Sequence, residues 1–206
     1  MHQSQGNRKP GSILFVRSKS KISKAIAWAT RGKVEKPTLA THVDMFIEDT
    51  VICGIAKWRP YARSWHAYKQ ELERDGAEWC VFTPRNLTDE DEKKLQCKAR
   101  DLITTRRYGY GEIPLQLIDG LVAKYILRRK CREFYWFRKG SRLLKKTVLC
   151  STFVAEAFAD VSGWPEKLQH GSPDDLFDHL MESLGEWDIT EHSADWFKPW
   201  IEVRTA

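Results

Sequence analysis

The chain lacks the cysteine pattern that would staple or metallate a small domain. Its five cysteines, Cys53, Cys80, Cys97, Cys131 and Cys150, are odd in number and irregularly spaced, and no CxxC, HExxH or Cys/His cluster at zinc spacing occurs. A disulfide framework, a zinc site and a dithiol redox pair are thereby set aside, and a reduced protein with no metal and no cofactor is expected. No apolar run approaches the roughly 18 residues of a membrane span, and residues 1–10 lack the apolar centre of a signal peptide, so a cytoplasmic location is expected. Internal repeats and low-complexity linkers are missing as well. Gly109-Tyr110-Gly111 is no dinucleotide fingerprint, because it has neither a third glycine nor a preceding strand.

What is present, 206 residues and 24.0 kDa, suits one domain whose core is large enough to need no cross-links. We expect a flexible N-terminus over residues 1–10 and a single domain over 11–206. The net charge is +6, and much of the excess lies in residues 128–146. Arg128, Arg129, Lys130, Arg132, Arg138, Lys139, Arg142, Lys145 and Lys146 stand there against the single acid Glu133, around Phe134-Tyr135-Trp136-Phe137. Basic residues interleaved with aromatics suit an anionic partner: membrane headgroups, nucleic acid or an acidic polymer, an anionic surface such as a membrane or cell wall being favoured. They also suit a solvated basic helix face with its aromatics turned inward.

The pattern of elements reads as α+β, an antiparallel sheet packed against helices. Ile13-Leu14-Phe15-Val16 is a short strand, and residues 20–30 carry apolar positions at helical spacing. Thr41-His42-Val43-Asp44-Met45-Phe46-Ile47 alternates, and Glu48-Asp49-Thr50 turns it into Val51-Ile52-Cys53-Gly54-Ile55-Ala56, which makes a hairpin. Trp79-Cys80-Val81-Phe82-Thr83 is a further strand. Thr88 and the acids after it open a helix through Leu95, Ala99, Leu102 and Ile103. Helices are also expected over about 114–130, over 151–161, and from Ser172, whose Pro173, Asp174 and Asp175 make a favourable first turn. The tail from Glu186 to Val203 reads as aromatic and extended.

Cys150 lies where the run Thr147-Val148-Leu149 gives way to the helix of Ser151-Thr152-Phe153-Val154. Unpaired backbone N–H groups and the positive end of the helix dipole favour an anion there, which makes a thiolate nucleophile of a residue that is elsewhere a small hydrophobe. A thiolate works best with an imidazole that takes up a proton and returns it to the leaving group. His42 is the candidate. Alternation sets Val43, Met45 and Ile47 on one face of its strand and His42, Asp44 and Phe46 on the other.

The order of these features resembles the circularly permuted papain-like proteins of the NlpC superfamily, most nearly the YiiX and YaeF-like branch, with lecithin:retinol acyltransferase a more distant relative. The residues that carry the resemblance are Gly11-Ser12-Ile13-Leu14-Phe15, Thr41-His42-Val43, Tyr108-Gly109-Tyr110, Leu149-Cys150-Ser151-Thr152-Phe153-Val154 and Ser172-Pro173-Asp174-Asp175-Leu176. It implies a permuted papain-like fold in which the histidine strand precedes the cysteine helix. It also implies a thiol hydrolase or acyltransferase in which Cys150 and His42 react through a thioester and Tyr108, Tyr110 and Ser151 line the substrate site. The substrate would be a peptidoglycan-type peptide, an isopeptide or a lipid ester, nucleic acid not being expected as one.

That family usually places a glutamate on the strand after the histidine, where this chain has Val51-Ile52-Cys53-Gly54. A thiol orients an imidazole poorly, so the third group is elsewhere or absent. Asp44 shares the face of His42 and is the nearest candidate, ahead of His66 and Glu48. A different class of function stays open beside the enzyme, namely a catalytically silent module that uses 128–146 to hold membrane or nucleic acid.

Overall fold

The computed structural model describes residues 8–18, 40–56, 59–108, 118, 122–127, 147–161, 164 and 172–194. The segments 20–30 and 128–146, together with Tyr110 and Cys131, lie outside the described residues. The strands are β1 (Ile13–Arg17), β2 (His42–Glu48), β3 (Val51–Ala56), β4 (Arg59–Ser64), β5 (Glu78–Pro84), β6 (Arg107–Tyr108), β7 (Thr147–Val148) and β8 (Trp187–His192). The α-helices are α1 (Trp65–Arg74), α2 (Asp89–Thr105), α3 (Cys150–Ala157) and α4 (Pro173–Glu182). Six strands form one antiparallel sheet in the order β4-β3-β2-β1-β5-β8, and β6 pairs with β7 in a short parallel ladder. The α+β class follows directly.

Alternation along the strands divides the buried side chains into two layers. Ile13, Phe15, Val43, Met45, Cys53 and Phe82 face α2, α3 and α4, whose Leu95, Phe153 and Phe177 complete that core. Phe15, Phe82 and Phe177 meet edge to face with centroids 5.2–5.5 Å apart. Such contacts add about 0.5–1.5 kcal/mol per pair to the burial of the rings. On the opposite face Leu14, Val16, Phe46, Ile52 and Val81 pack against Trp65, Tyr68 and Leu72 of α1. Position 2 of the alternation thus decides which layer a β2 residue enters.

The helix starts are written in the sequence and form as capping chemistry requires. The Thr88 side chain accepts from the Asp91 N–H at 3.2 Å, and Ser172 and Asp175 satisfy each other's backbone N–H groups in a reciprocal box at 3.1 and 2.7 Å. Two expected helices differ. The one expected over 151–161 ends at Ala157: Phe158 stacks on Trp164 with centroids 4.3 Å apart, and the chain turns there, with the Val161 N–H donating to the Phe158 carbonyl at 2.9 Å. Within the span 114–130 the described residues are Ile118, which is α-helical, and a π-helical segment, Val122–Leu127, on which Tyr125 and Ile126 are exposed. Among the described residues no helix is long and apolar enough to cross a membrane.

The hairpin carries one irregularity that concerns the site. Met45 pairs with Cys53 and Phe46 with Ile52, after which the register shifts so that Glu48 meets Val51. Arg8, within the segment read as an N-terminal tail, braces this corner. It is ion-paired with Glu191 of β8 and donates to the Asp49 carbonyl at 2.9 Å in the hairpin turn. Its guanidinium lies 5.7 Å from the Phe46 ring centroid.

Candidate active site

His42 is the first residue of β2, paired with Val16 of β1. Its Nε2 lies 2.9 Å from Asp44 Oδ1, two residues along the same strand and therefore on the same face. An ionised carboxylate only accepts, so Nε2 carries the proton of that bond, and in the neutral ring Nδ1 is the free acceptor. Burial lowers the affinity of the imidazole for a proton. The Asp44 carboxylate, then Cys150, and hydrogen bonds to both raise it by more, leaving the His42 pKa well above the usual 6.5. The imidazole therefore belongs electrostatically to two partners, one on its own strand and one at the start of α3.

Asp44 is fully buried, an expensive place for a carboxylate unless it is bonded. Its Oδ1 receives, besides His42, the Tyr61 hydroxyl at 2.7 Å. Oδ2 accepts no well-formed hydrogen bond among the described residues, although the Tyr68 hydroxyl of α1 stands close enough to feel the Asp44 charge. Burial first and that charge second push both tyrosine hydroxyls far up in pKa, so they remain protonated donors. Arg63, on the same face of β4 as Tyr61, lays its guanidinium 3.3 Å from the Tyr68 centroid and pairs with Glu71 at 2.5 Å.

A missing side chain creates the room for this cluster. Gly54 of β3 pairs with Tyr61 of β4, and a Cβ at Gly54 would stand 1.8 Å from Asp44 Oδ1. The carboxylate occupies the volume that any other residue at 54 would fill, and the tyrosine reaches it across the bare backbone.

Cys150 begins α3 and is almost completely buried. Leu149 precedes it in extended conformation, and Thr152 fastens the turn: its Oγ1 accepts from the Leu149 N–H at 2.8 Å and donates to the Leu149 carbonyl at 3.0 Å. The first turn holds no acidic residue, so nothing there opposes a thiolate or a developing oxyanion. The helix packs on β2 and β3. Cys150 is part of the core on the α2–α4 side, close enough to His42 to contribute to the rise in its pKa.

The other candidates fall elsewhere. Cys53 is fully buried, and burial, then the nearby Asp44 charge, raises its pKa; burial alone does the same to Cys80. Cys97 is exposed. Glu48 is ion-paired with Arg100 at 2.7 Å, and His66 meets Gln70 on α1, so neither orients the imidazole. Tyr108 lies on β6, in register with Val148, two residues before Cys150. Ser151 is buried. Tyr61, Tyr68, Arg63 and Gly54 were missed in the sequence. Two signals could have found them: a glycine inside a strand, which marks a close approach, and the alternation Tyr61-Ala62-Arg63. No group of three or more His, Cys, Asp or Glu side chains that could hold a metal ion occurs among the described residues.

No protein-family model matches the sequence, and no curated protein matches it.

Proposed function

We propose that the protein is a cysteine-nucleophile hydrolase or acyltransferase, with a permuted papain-like fold of the NlpC type, acting through a thioester on an amide or ester. The observation that carries this reading is the His42 imidazole bonded to the buried Asp44 carboxylate, with Cys150 at the first residue of α3 close enough to contribute to its raised pKa. The raised pKa favours the protonated form of His42, and a protonated imidazole is the partner that an attacking thiolate needs. The thiolate attacks the carbonyl carbon; a C–S bond forms and the π electrons move to oxygen, where N–H groups at the start of α3 can receive the charge. His42 gives its proton to the leaving nitrogen or oxygen, the C–N or C–O bond breaks, and a thioester remains. Water in a hydrolase, or an alcohol or amine in a transferase, then adds to the thioester, passes a proton to His42 and expels the thiolate.

The substrate class comes from the resemblance: a peptidoglycan-type peptide, an isopeptide or a lipid ester. Limiting iodoacetamide near neutral pH, followed by mass mapping, tests the reading. Cys150 should be alkylated ahead of the exposed Cys97, and His42→Ala should remove that preference. A silent binding module would leave Cys150 no more reactive than Cys97, and that result would overturn the proposal.

A further inference from the structure

We propose that Tyr61 is a positioning residue of this site, its hydrogen bond to Asp44 Oδ1 fixing the orientation of the carboxylate that in turn holds His42. The inference rests on the thiol-enzyme reading above and deepens it. Oδ1 accepts from both His42 Nε2 at 2.9 Å and the Tyr61 hydroxyl at 2.7 Å, while Oδ2 has no well-formed bond among the described residues. The rotation of the carboxylate about its own axis is therefore set by two donors on one oxygen. Remove the tyrosine donor, and the imidazole alone must both orient the carboxylate and be oriented by it.

The geometry is built for this contact. Gly54 leaves its side-chain volume to the Asp44 carboxylate, and a methyl group there would displace Oδ1. Tyr61 is held from behind: its ring packs edge to face on Tyr68 with centroids 6.3 Å apart, and Arg63 lies 4.6 Å from its centroid. The charged and titratable groups that interact with the His42–Asp44 pair come from four elements. They are Cys150 on α3, Cys53 on β3, whose side chain lies in the opposite layer, Tyr61 and Arg63 on β4, and Tyr68 on α1. Tyr61 donates to Asp44 Oδ1 at 2.7 Å, and the Tyr68 hydroxyl also interacts with the Asp44 carboxylate.

Tyr61→Phe keeps the ring and its packing and deletes only the donor, which makes it a clean test. We expect the His42 titration, followed by imidazole NMR, to move down by about one pH unit as the carboxylate loosens its hold. The pH profile of Cys150 alkylation should move with it, while the melting temperature changes only as one lost hydrogen bond requires. Tyr68→Phe should shift His42 less. An unchanged His42 midpoint in Tyr61→Phe, or an equal shift in Tyr68→Phe, would overturn the assignment. Failure of the enzyme reading shows separately: Cys150 would then be no more reactive than Cys97 in the native protein, whereas the NMR titration reads Tyr61 in either case.

Discussion

The two faces of β2 solve opposite problems with neighbouring residues. Val43, Met45 and Ile47 project into a dry layer under α2, α3 and α4, where shape and apolar area are all that matter. Asp44 projects to the α1 side, where its buried carboxylate is bonded by the His42 imidazole and the Tyr61 hydroxyl and walled by Arg63. The first face anchors the helix that carries Cys150, and the second tunes the base that Cys150 needs. A single strand therefore links the position of the nucleophile to the protonation of its partner, and substitutions on the two faces should separate these roles.

The largest effect is expected on the polar face. Asp44→Asn removes the charge that holds His42 protonated and offers an amide that can donate to the imidazole, favouring the wrong tautomer. Alkylation of Cys150 near neutral pH should fall by at least about tenfold, with folding retained. Full reactivity in that variant would move the third group elsewhere. Gly54→Ala strikes the same contact through space. A methyl group at a position 1.8 Å from Oδ1 must push strand or carboxylate aside, an overpacking cost of about 1–3 kcal/mol that should appear as a lowered melting temperature. A variant as stable as the parent would mean that the cradle is loose. The smallest effect belongs to the apolar face, where Cys53→Ser should leave Cys150 labelling nearly unchanged. A crippled Cys53→Ser with a normal Asp44→Asn would hand the third position to β3 instead.

Much of this arrangement is legible in the sequence, and the remainder is hidden for physical reasons. Strands β1, β2, β3 and β5 show themselves by alternation or compact apolar runs bounded by turns, and α2 and α4 by their caps at Thr88 and Ser172. Cys150 falls at the first residue of α3, and Asp44 at hydrogen-bond distance from His42, as the pattern of the hairpin suggests. The edge strand β4 and the helix α1 are harder to read. β4 contains Pro60 and two arginines, and α1 is largely polar with Trp65, Tyr68 and Leu72 its only buried residues. With β4 unseen, Tyr61 could not be placed. Gly54 reads as a weak strand residue until the carboxylate is seen beside it, because a close contact between strands depends on register, and register is a tertiary property.

His42 also couples the site to stability. Its folded pKa stands above the unfolded value near 6.5, so its interactions stabilise the fold in full below about pH 6.5 and are lost as the pH rises through the folded pKa. Asp44→Asn should flatten that dependence, since the first of the two attracting charges disappears. The most direct test of the central claim, that one imidazole serves both Asp44 and Cys150, is an NMR titration of His42 in the native protein and in Cys150→Ala. The account predicts a midpoint well above 6.5 that drops when the thiol is removed; a midpoint near 6.5, or one indifferent to Cys150→Ala, would contradict it.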